Sequence, residues 1–102
     1  MLFRKILLIL LVIIFSSLAL ADPKMDLGLD VYNNKAQCGV CHALQAAGSE
    51  GQIGPDLDLL KSQIPQIISV VTNGIGVMPP WEGILTYEEI EAVAYYVFNS
   101  TK

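Results

Sequence analysis

The residues with the most distinctive chemistry are two cysteines and a histidine, which stand together as Cys38-Gly39-Val40-Cys41-His42. They are the only cysteines and the only histidine of the 102-residue chain. Two thiols three positions apart, followed at once by a histidine, is the spacing that attaches a c-type haem. Each sulfur can add to one vinyl group of the porphyrin, and His42 can then supply a nitrogen ligand to the iron. The motif therefore predicts a covalent haem c site.

Three other kinds of site use closely spaced cysteines. A dithiol redox motif belongs to a fold that combines strands and helices, and this sequence has no strand-forming run. A zinc site needs four ligands, whereas cysteine and histidine together offer three here. A disulfide between Cys38 and Cys41 would close so short a loop that it would add little stability. Haem attachment requires only these residues and a second axial ligand.

The second axial ligand can be sought by elimination. Because His42 is the sole histidine, a second histidine ligand is excluded. Met25 precedes the motif in a predicted flexible lead-in, from which it would hardly reach the opposite face of a haem. Met78 follows His42 by 36 residues, in a loop braced by glycines and prolines. A methionine usually fills a gap in a core, but the bracing favours Met78, so the predicted metal ligands are His42 and Met78.

The N-terminus has the pattern of a secretory signal. Arg4 and Lys5 precede an unbroken apolar run, and positions 19–21 read Ala-Leu-Ala, a form that signal peptidases cleave. We expect residues 1–21 to be a signal peptide and residues 22–102 to be one mature domain in the periplasm. An uncleaved anchor is the alternative, but the apolar run is shorter than the roughly 20 residues of a spanning helix. No stable membrane insertion is therefore expected.

The mature chain would be small and acidic. Its 81 residues are in the size range where a core alone supplies little stability, so a covalent haem would act as an apolar staple. Four basic and ten acidic side chains give it a formal charge of −6. Such a chain is not expected to bind nucleic acid, and a basic docking surface on a redox protein partner suits it better. We expect a monomer or one subunit of a heterodimer.

Short helices and loops are predicted along the mature chain. After a loose lead-in at residues 22–25, Asp26 is placed to cap a first helix that ends near residue 33. The segment Ala43–Gly54 is rich in small and polar residues, which predicts a loop with one turn of helix.

The second half of the chain has clearer helix signals. An apolar stripe at helical spacing covers residues 65–73 and is followed by Gly74 in the C-cap position. The next eight residues, 74–81, contain two glycines and two prolines, which predicts an irregular, extended loop. Thr86 and Glu89 form a capping box for the last helix. The fold class is therefore all-α.

From Asp26 to the C-terminus the chain resembles a class I c-type cytochrome, of the small bacterial monohaem kind. The residues that carry the resemblance are Gly28 and Tyr32, the Cys38–His42 motif, Gly54-Pro55, the Asn73-Gly74 and Met78-Pro79 loop, and Tyr95. It implies the cytochrome c fold, in which three to four short helices and loops wrap around one covalent haem. In that fold the first and last helices cross near a right angle, and Gly28 and Tyr32 would meet the face around Ala94 and Tyr95.

The resemblance also implies a role for Pro55, whose backbone carbonyl would accept a hydrogen bond from His42 and set its tautomer. For Trp81 two roles stay open, namely a hydrogen bond to a haem propionate or packing alone. The predicted cofactor-binding residues are Cys38, Cys41, His42, Pro55, Met78 and Trp81. The predicted apolar lining consists of Leu57, Leu60, Ile67, Ile68, Val71, Ile75 and Val77.

An iron held by His42 and Met78 has no open position for a substrate, which favours one-electron transfer over catalysis. The expected function is electron transport in the periplasm, from a dehydrogenase or quinol-oxidising complex to a terminal oxidase or reductase. One alternative is a dedicated cytochrome c subunit of a periplasmic dehydrogenase, for example a sulfite dehydrogenase, to whose small subunits the stretch 73–79 is similar. Another is a haem sensor or peroxidatic protein whose methionine ligand dissociates.

Overall fold

The computed structural model describes residues 4–6 and 22–101, so the predicted signal peptide lies almost entirely outside the described residues. The described chain is mainly helical, as predicted. Its helices are α1 (Pro23–Asp30), α2 (Leu57–Leu60), α3 (Ile64–Asn73) and α4 (Tyr87–Ser100). None of the helices within those residues is long and apolar enough to cross a membrane.

A small hairpin occupies the segment that was predicted to be a loop. The strands β1 (Ala43–Leu44) and β2 (Ser49–Glu50) pair in antiparallel register, with a 3-10 turn at Gln45–Ala47 between them. The turn of helix was expected, whereas the absence of strands was a wrong prediction. Strands of two residues are too short to show an alternating apolar and polar pattern, so the sequence gives no signal for them.

The first helix begins earlier than predicted. Its N-cap is Asp22, whose side chain accepts hydrogen bonds from two backbone N–H groups of the first turn, at 3.1 and 3.3 Å. Pro23 follows in the position where its missing N–H costs nothing. The loose lead-in and the cap at Asp26 were therefore wrong, because Asp26 lies inside the first turn. A π-helical turn, Val31–Lys35, continues α1.

Helix α1 packs closely against α4. A Cβ atom at Gly28 would lie 2.3 Å from the carbonyl oxygen of Ala92 and 2.5 Å from the Cβ of Tyr96. Tyr32 is fully buried, and the centroid of its ring lies 5.8 Å from that of the Tyr96 ring. These contacts fall on Ala92 and Tyr96, which are four residues apart and share one helix face.

The predicted contact face of α4, around Ala94 and Tyr95, therefore differs from the observed one, which carries Ala92 and Tyr96. The Tyr95 hydroxyl instead donates a hydrogen bond to Asp22, at 3.1 Å. Two ion pairs also bridge the first helical segment and α4, namely Lys24 with Glu91 and Lys35 with Glu89.

We expect Gly28→Ala to destabilise the fold by about 1–3 kcal/mol, the usual cost of overpacking a filled interior. The added methyl group would meet a backbone carbonyl, which cannot rotate away as a flexible side chain can. Urea unfolding of the wild-type and variant proteins measures the difference. Asn33→Ala, at an exposed position in the same segment, is the control and should shift the midpoint far less. Equal midpoints for Gly28→Ala and wild type would contradict the close packing.

The last helix begins with the predicted capping box. The Thr86 hydroxyl accepts a hydrogen bond from the backbone N–H of Glu89 at 3.1 Å, and the Glu89 carboxylate accepts one from the backbone N–H of Thr86 at 2.9 Å. The predicted C-cap of α3 is also present, because Gly74 ends the helix with a φ of 72°. Both ends were readable because each depends on local residues: the capping box on two side chains three residues apart, and the C-cap on a glycine, which adopts a positive φ without strain.

Thr86→Ala should cost about 1 kcal/mol of stability, because one backbone N–H of α4 loses its acceptor. Thr86→Ser keeps an oxygen at the same position and should stay close to wild type. Thermal unfolding of the three proteins, followed by circular dichroism, gives the comparison. A Ser variant as unstable as the Ala variant would show that the methyl group, rather than the hydroxyl, is what matters.

The core lies around α4, between the π-helical turn Val31–Lys35 that continues α1 and the helix α3. Its buried apolar residues are Val31, Tyr32, Leu44, Ile67, Val71, Leu85, Ile90, Val93, Ala94, Tyr96 and Val97. These residues place one face of α3 and one face of α4 opposite the Cys38–His42 segment, and the cofactor site is built between them.

Candidate cofactor site

A cavity of about 670 Å³ lies beside the Cys38–His42 segment. Four of the six predicted cofactor-binding residues line it, namely Cys38, His42, Pro55 and Met78. The other two, Cys41 and Trp81, are half-buried and are not among the lining residues. The site therefore gathers residues that are far apart in the sequence around one space.

Most of the predicted apolar lining is in place. Leu57, Leu60, Ile67, Val71 and Ile75 border the cavity, together with Val93 and Val97 of α4. Two predictions were wrong: Ile68 packs against the core instead, and the Val77 side chain is 87% exposed. Ile68 is next to the lining residue Ile67, and Val77 is next to Met78. Neighbouring residues of a helix or turn point in different directions, so one member of such a pair can border the cavity while the other does not.

The Cys38–His42 segment folds into a compact turn. Cys38–Val40 forms one turn of 3-10 helix, and the carbonyl of Cys38 accepts hydrogen bonds from the backbone N–H groups of Cys41 at 3.1 Å and His42 at 2.9 Å. Gln37 precedes it in a left-handed conformation, with a φ of 51°. The turn brings the Cys38 thiol and the His42 imidazole to the cavity, and Cys41 ends the same turn outside the lining.

The imidazole of His42 is held by a backbone carbonyl. Its Nδ1 atom lies 2.7 Å from the carbonyl oxygen of Pro55. Because a carbonyl oxygen can only accept, Nδ1 must carry the proton, and Nε2 then has a lone pair available for a metal. This arrangement suits an imidazole ligand to iron.

Gly54 lies directly against the same ring. A Cβ atom there would be 2.5 Å from the Cε1 atom of His42 and 2.8 Å from Nδ1, so only glycine leaves the ring its space. The backbone N–H of Gly54 also donates a hydrogen bond to the carbonyl of Cys41, at 2.7 Å. Gly54 and Pro55 together therefore set the orientation of the imidazole.

Met78 is presented by a tight turn. The backbone N–H and carbonyl groups of Ile75 and Met78 bond to each other in both directions, at 3.1 and 2.9 Å. The extended loop predicted for residues 74–81 was therefore wrong, because the glycines fold the chain back on itself. Met78 is half-buried and borders the cavity that His42 also borders.

Burial raises the pKa of the Cys38 thiol to about 11. Cysteines of dithiol redox motifs work as thiolates and need a lowered pKa. Both cysteines are free, and a buried thiol with a raised pKa is poorly suited to disulfide exchange. The apolar surroundings of Cys38 instead suit a sulfur that is bonded to an apolar ring.

Trp81 does not border the cavity, and a backbone hydrogen bond holds it in place. Its N–H donates a hydrogen bond to the carbonyl of Val71 at 2.9 Å, and its side chain packs against the core.

Sequence reasoning missed Tyr32 and Lys61 as cavity residues. The helical spacing of Tyr32 indicates a buried face without saying what that face borders, and no sequence signal points to Lys61.

The residues present fit a haem. A covalent, six-coordinate haem requires two cysteine sulfurs, an imidazole nitrogen, a second axial ligand and apolar walls. The cavity is bordered by Cys38, His42, Met78 and apolar side chains, and Cys41 lies in the same turn as Cys38. Among the described residues that line this apolar space, none is an aspartate or a glutamate.

The chain is similar to several known proteins. The family described as "Cytochrome C oxidase, cbb3-type, subunit III" matches residues 23–97. Cytochrome c6 of Tetradesmus obliquus is 36% identical over 84 residues, which cover 72% of this chain and 90% of that protein. The cbb3-type cytochrome c oxidase subunit FixP of Bradyrhizobium sp. (strain ORS 278) is 39% identical over 67 residues, which cover 61% of this chain and 23% of that protein.

A solved structure agrees with these relatives. The crystal structure of the c-type cytochrome SorU from Sinorhizobium meliloti superposes with a TM-score of 0.75 and 42% identity, over 79% of this chain and 94% of that chain. The predicted cytochrome c fold is thereby confirmed. With a matching family, matching relatives and a matching structure, the chain belongs to the class I c-type cytochromes, as a small monohaem electron carrier that binds one covalent haem c and is not an enzyme.

Proposed function

We propose that this cytochrome carries single electrons in the periplasm, with its haem iron held by His42 on one side and by Met78 on the other. Cys38 and Cys41 are the attachment points of the haem. The observation that supports the ligand pair most directly is that one cavity borders both His42, with its Nε2 free, and Met78.

The chain's own residues explain how such a carrier would work. A bound haem c supplies a one-electron ferric–ferrous couple. The carbonyl of Pro55 holds the proton on His42 Nδ1 and so keeps Nε2 a constant ligand. The thioether of Met78 favours the ferrous state, and apolar residues such as Val71 and Val93 exclude water, which also raises the reduction potential.

Location and partners are part of the proposal. The apolar run and the Ala-Leu-Ala sequence at 19–21 support export with cleavage after Ala21. Redox proteins are the partners of such carriers, and the acidic mature chain favours partners with basic docking surfaces. A dehydrogenase or quinol-oxidising complex would be the donor. One relative is a subunit of a cbb3-type cytochrome c oxidase, which supports a terminal oxidase as acceptor.

A second candidate is a dedicated subunit of a periplasmic dehydrogenase, such as a sulfite dehydrogenase. Leu59 and Val77 are 82% and 87% exposed, and each is next in sequence to a residue that borders the cavity. A partner that stays bound there would remove their apolar surface from water, which favours association. Gel filtration of the native protein separates the two candidates, since a carrier elutes alone and a subunit elutes with its enzyme.

A visible spectrum of protein produced in a periplasm with the haem-attachment machinery tests the ligand pair. The oxidised protein should show the charge-transfer band of an iron–thioether bond, and the reduced protein should not bind carbon monoxide. A missing band together with ready carbon monoxide binding would overturn the carrier and favour a haem sensor or peroxidatic protein. Mass spectrometry of the same protein should find Asp22 as its first residue.

A further inference from the structure

The polar lining of the cavity is concentrated in one short stretch of chain. Lys61, Ser62, Gln66 and Ser69 border it at the junction of α2 and α3. No aspartate or glutamate is among the cavity's described lining residues, although the chain contains ten of them. The polar wall is therefore positively charged within an acidic protein.

Lys61 differs from the other lysines between residues 22 and 101. Lys24 forms an ion pair with Glu91 at 2.7 Å, and Lys35 forms one with Glu89. Lys61 forms no ion pair with any carboxylate of the described residues. Its charge is thus available to an anion that the protein chain does not itself provide.

Lys61 also has an unusual backbone conformation, which among the described residues other than glycine it shares with Gln37. It ends α2 in a left-handed conformation with a φ of 49°, and its N–H donates to the carbonyl of Leu57 at 3.2 Å. Glycine is the usual residue at such a helix end because it has no Cβ, and asparagine is tolerated because its short side chain can bond to the local backbone. Lys61 therefore occupies a backbone position that is unfavourable for a lysine.

A haem carries two carboxylate groups on one edge of an otherwise apolar ring, and the cavity has one cationic, polar side. We propose that Lys61 binds a haem carboxylate, with Ser62, Gln66 and Ser69 completing the polar wall, and that its charge raises the reduction potential. Trp81, for which this role was left open, does not border the cavity. The proposal rests on the proposed haem carrier and names which residue holds the acidic edge.

The test compares three variants as holoproteins. Lys61→Asn removes the charge but tolerates the left-handed backbone, Lys61→Arg keeps the charge, and Lys24→Asn removes one charge from a lysine that does not border the cavity. The readouts are the midpoint potential and the resonance Raman bands of the haem carboxylates. Lys61→Asn should shift the ferric–ferrous equilibrium about three- to tenfold toward the ferric form, where tenfold corresponds to about 59 mV.

The outcomes distinguish the role of Lys61 from the proposed electron carrier with its His42–Met78 ligand pair. Lys61→Arg should keep the wild-type carboxylate bands and potential, and Lys24→Asn should leave the bands unchanged. A Lys61→Asn protein that matches Lys24→Asn in both readouts would overturn the role of Lys61 and leave the carrier function standing. A wild-type protein without an iron–thioether band would instead overturn the proposed ligand pair.

Discussion

Met78→Ala should abolish the iron–thioether charge-transfer band, open one axial position and let the reduced protein bind carbon monoxide. Its midpoint potential should fall by a substantial part of the roughly 0.8 V over which axial ligands set haem potentials. The reason is that the soft thioether stabilises ferrous iron, and the water that replaces it does so less well. Optical spectroscopy and a redox titration of the variant measure both effects.

The chain offers a matched control for this change. Met25 is the other methionine of the described residues; it lies in α1, partly buried against the core and outside the cavity lining. Met25→Ala should lose some stability and keep the wild-type spectrum and potential. If Met78→Ala retains the charge-transfer band, or if Met25→Ala loses it, Met78 is not the axial ligand.

Gly54→Ala should disturb the other axial ligand. Its methyl group would lie 2.5 Å from the Cε1 atom of His42, so the imidazole has to turn, and the 2.7 Å hydrogen bond from Nδ1 to the carbonyl of Pro55 breaks. Losing the group that orients a metal-bound histidine typically costs about 10- to 100-fold in metal affinity. We expect a rise of that order in the fraction of haem without its histidine, read from the high-spin absorbance.

Gly48→Ala is the control for Gly54→Ala. A Cβ atom at Gly48 would have no neighbour within 4 Å, although its φ of 67° makes any side chain strained. This variant should lose stability through backbone strain and keep a low-spin spectrum. If both variants show the same rise in the high-spin fraction, the loss of a glycine causes that rise and contact with His42 does not.

Local sequence signals were sufficient for the chemistry of the site. Cys38, Cys41 and His42 are neighbours in the chain, so their spacing alone indicates what they can bind. The capping box of Thr86 and Glu89 was readable for the same reason, because its partners are three residues apart. Met78 was predicted as the second axial ligand by eliminating the other histidine and methionine candidates. In the tertiary structure it borders the same cavity as His42.

Contacts between distant segments could not be read in this way. Which face of α4 meets Gly28 depends on the rotation of one helix against another, and apolar residues on neighbouring faces look alike in a sequence. The start of α1 was missed because Asp22 and Asp26 both satisfy the preference for a cap, and only the folded chain, with Tyr95 bonded to Asp22, distinguishes them.

The sequence by itself therefore determined which cofactor this protein binds, because Cys38, Cys41 and His42 are set by residue type and short spacing, and it predicted which atoms hold the iron. Only the tertiary structure decided what surrounds the cofactor. It brought Gly54 against the His42 ring, left Val77 and Trp81 outside the cavity lining, and placed Lys61 at its polar side. Such placements arise from the packing of segments far apart in the chain, which no local pattern encodes.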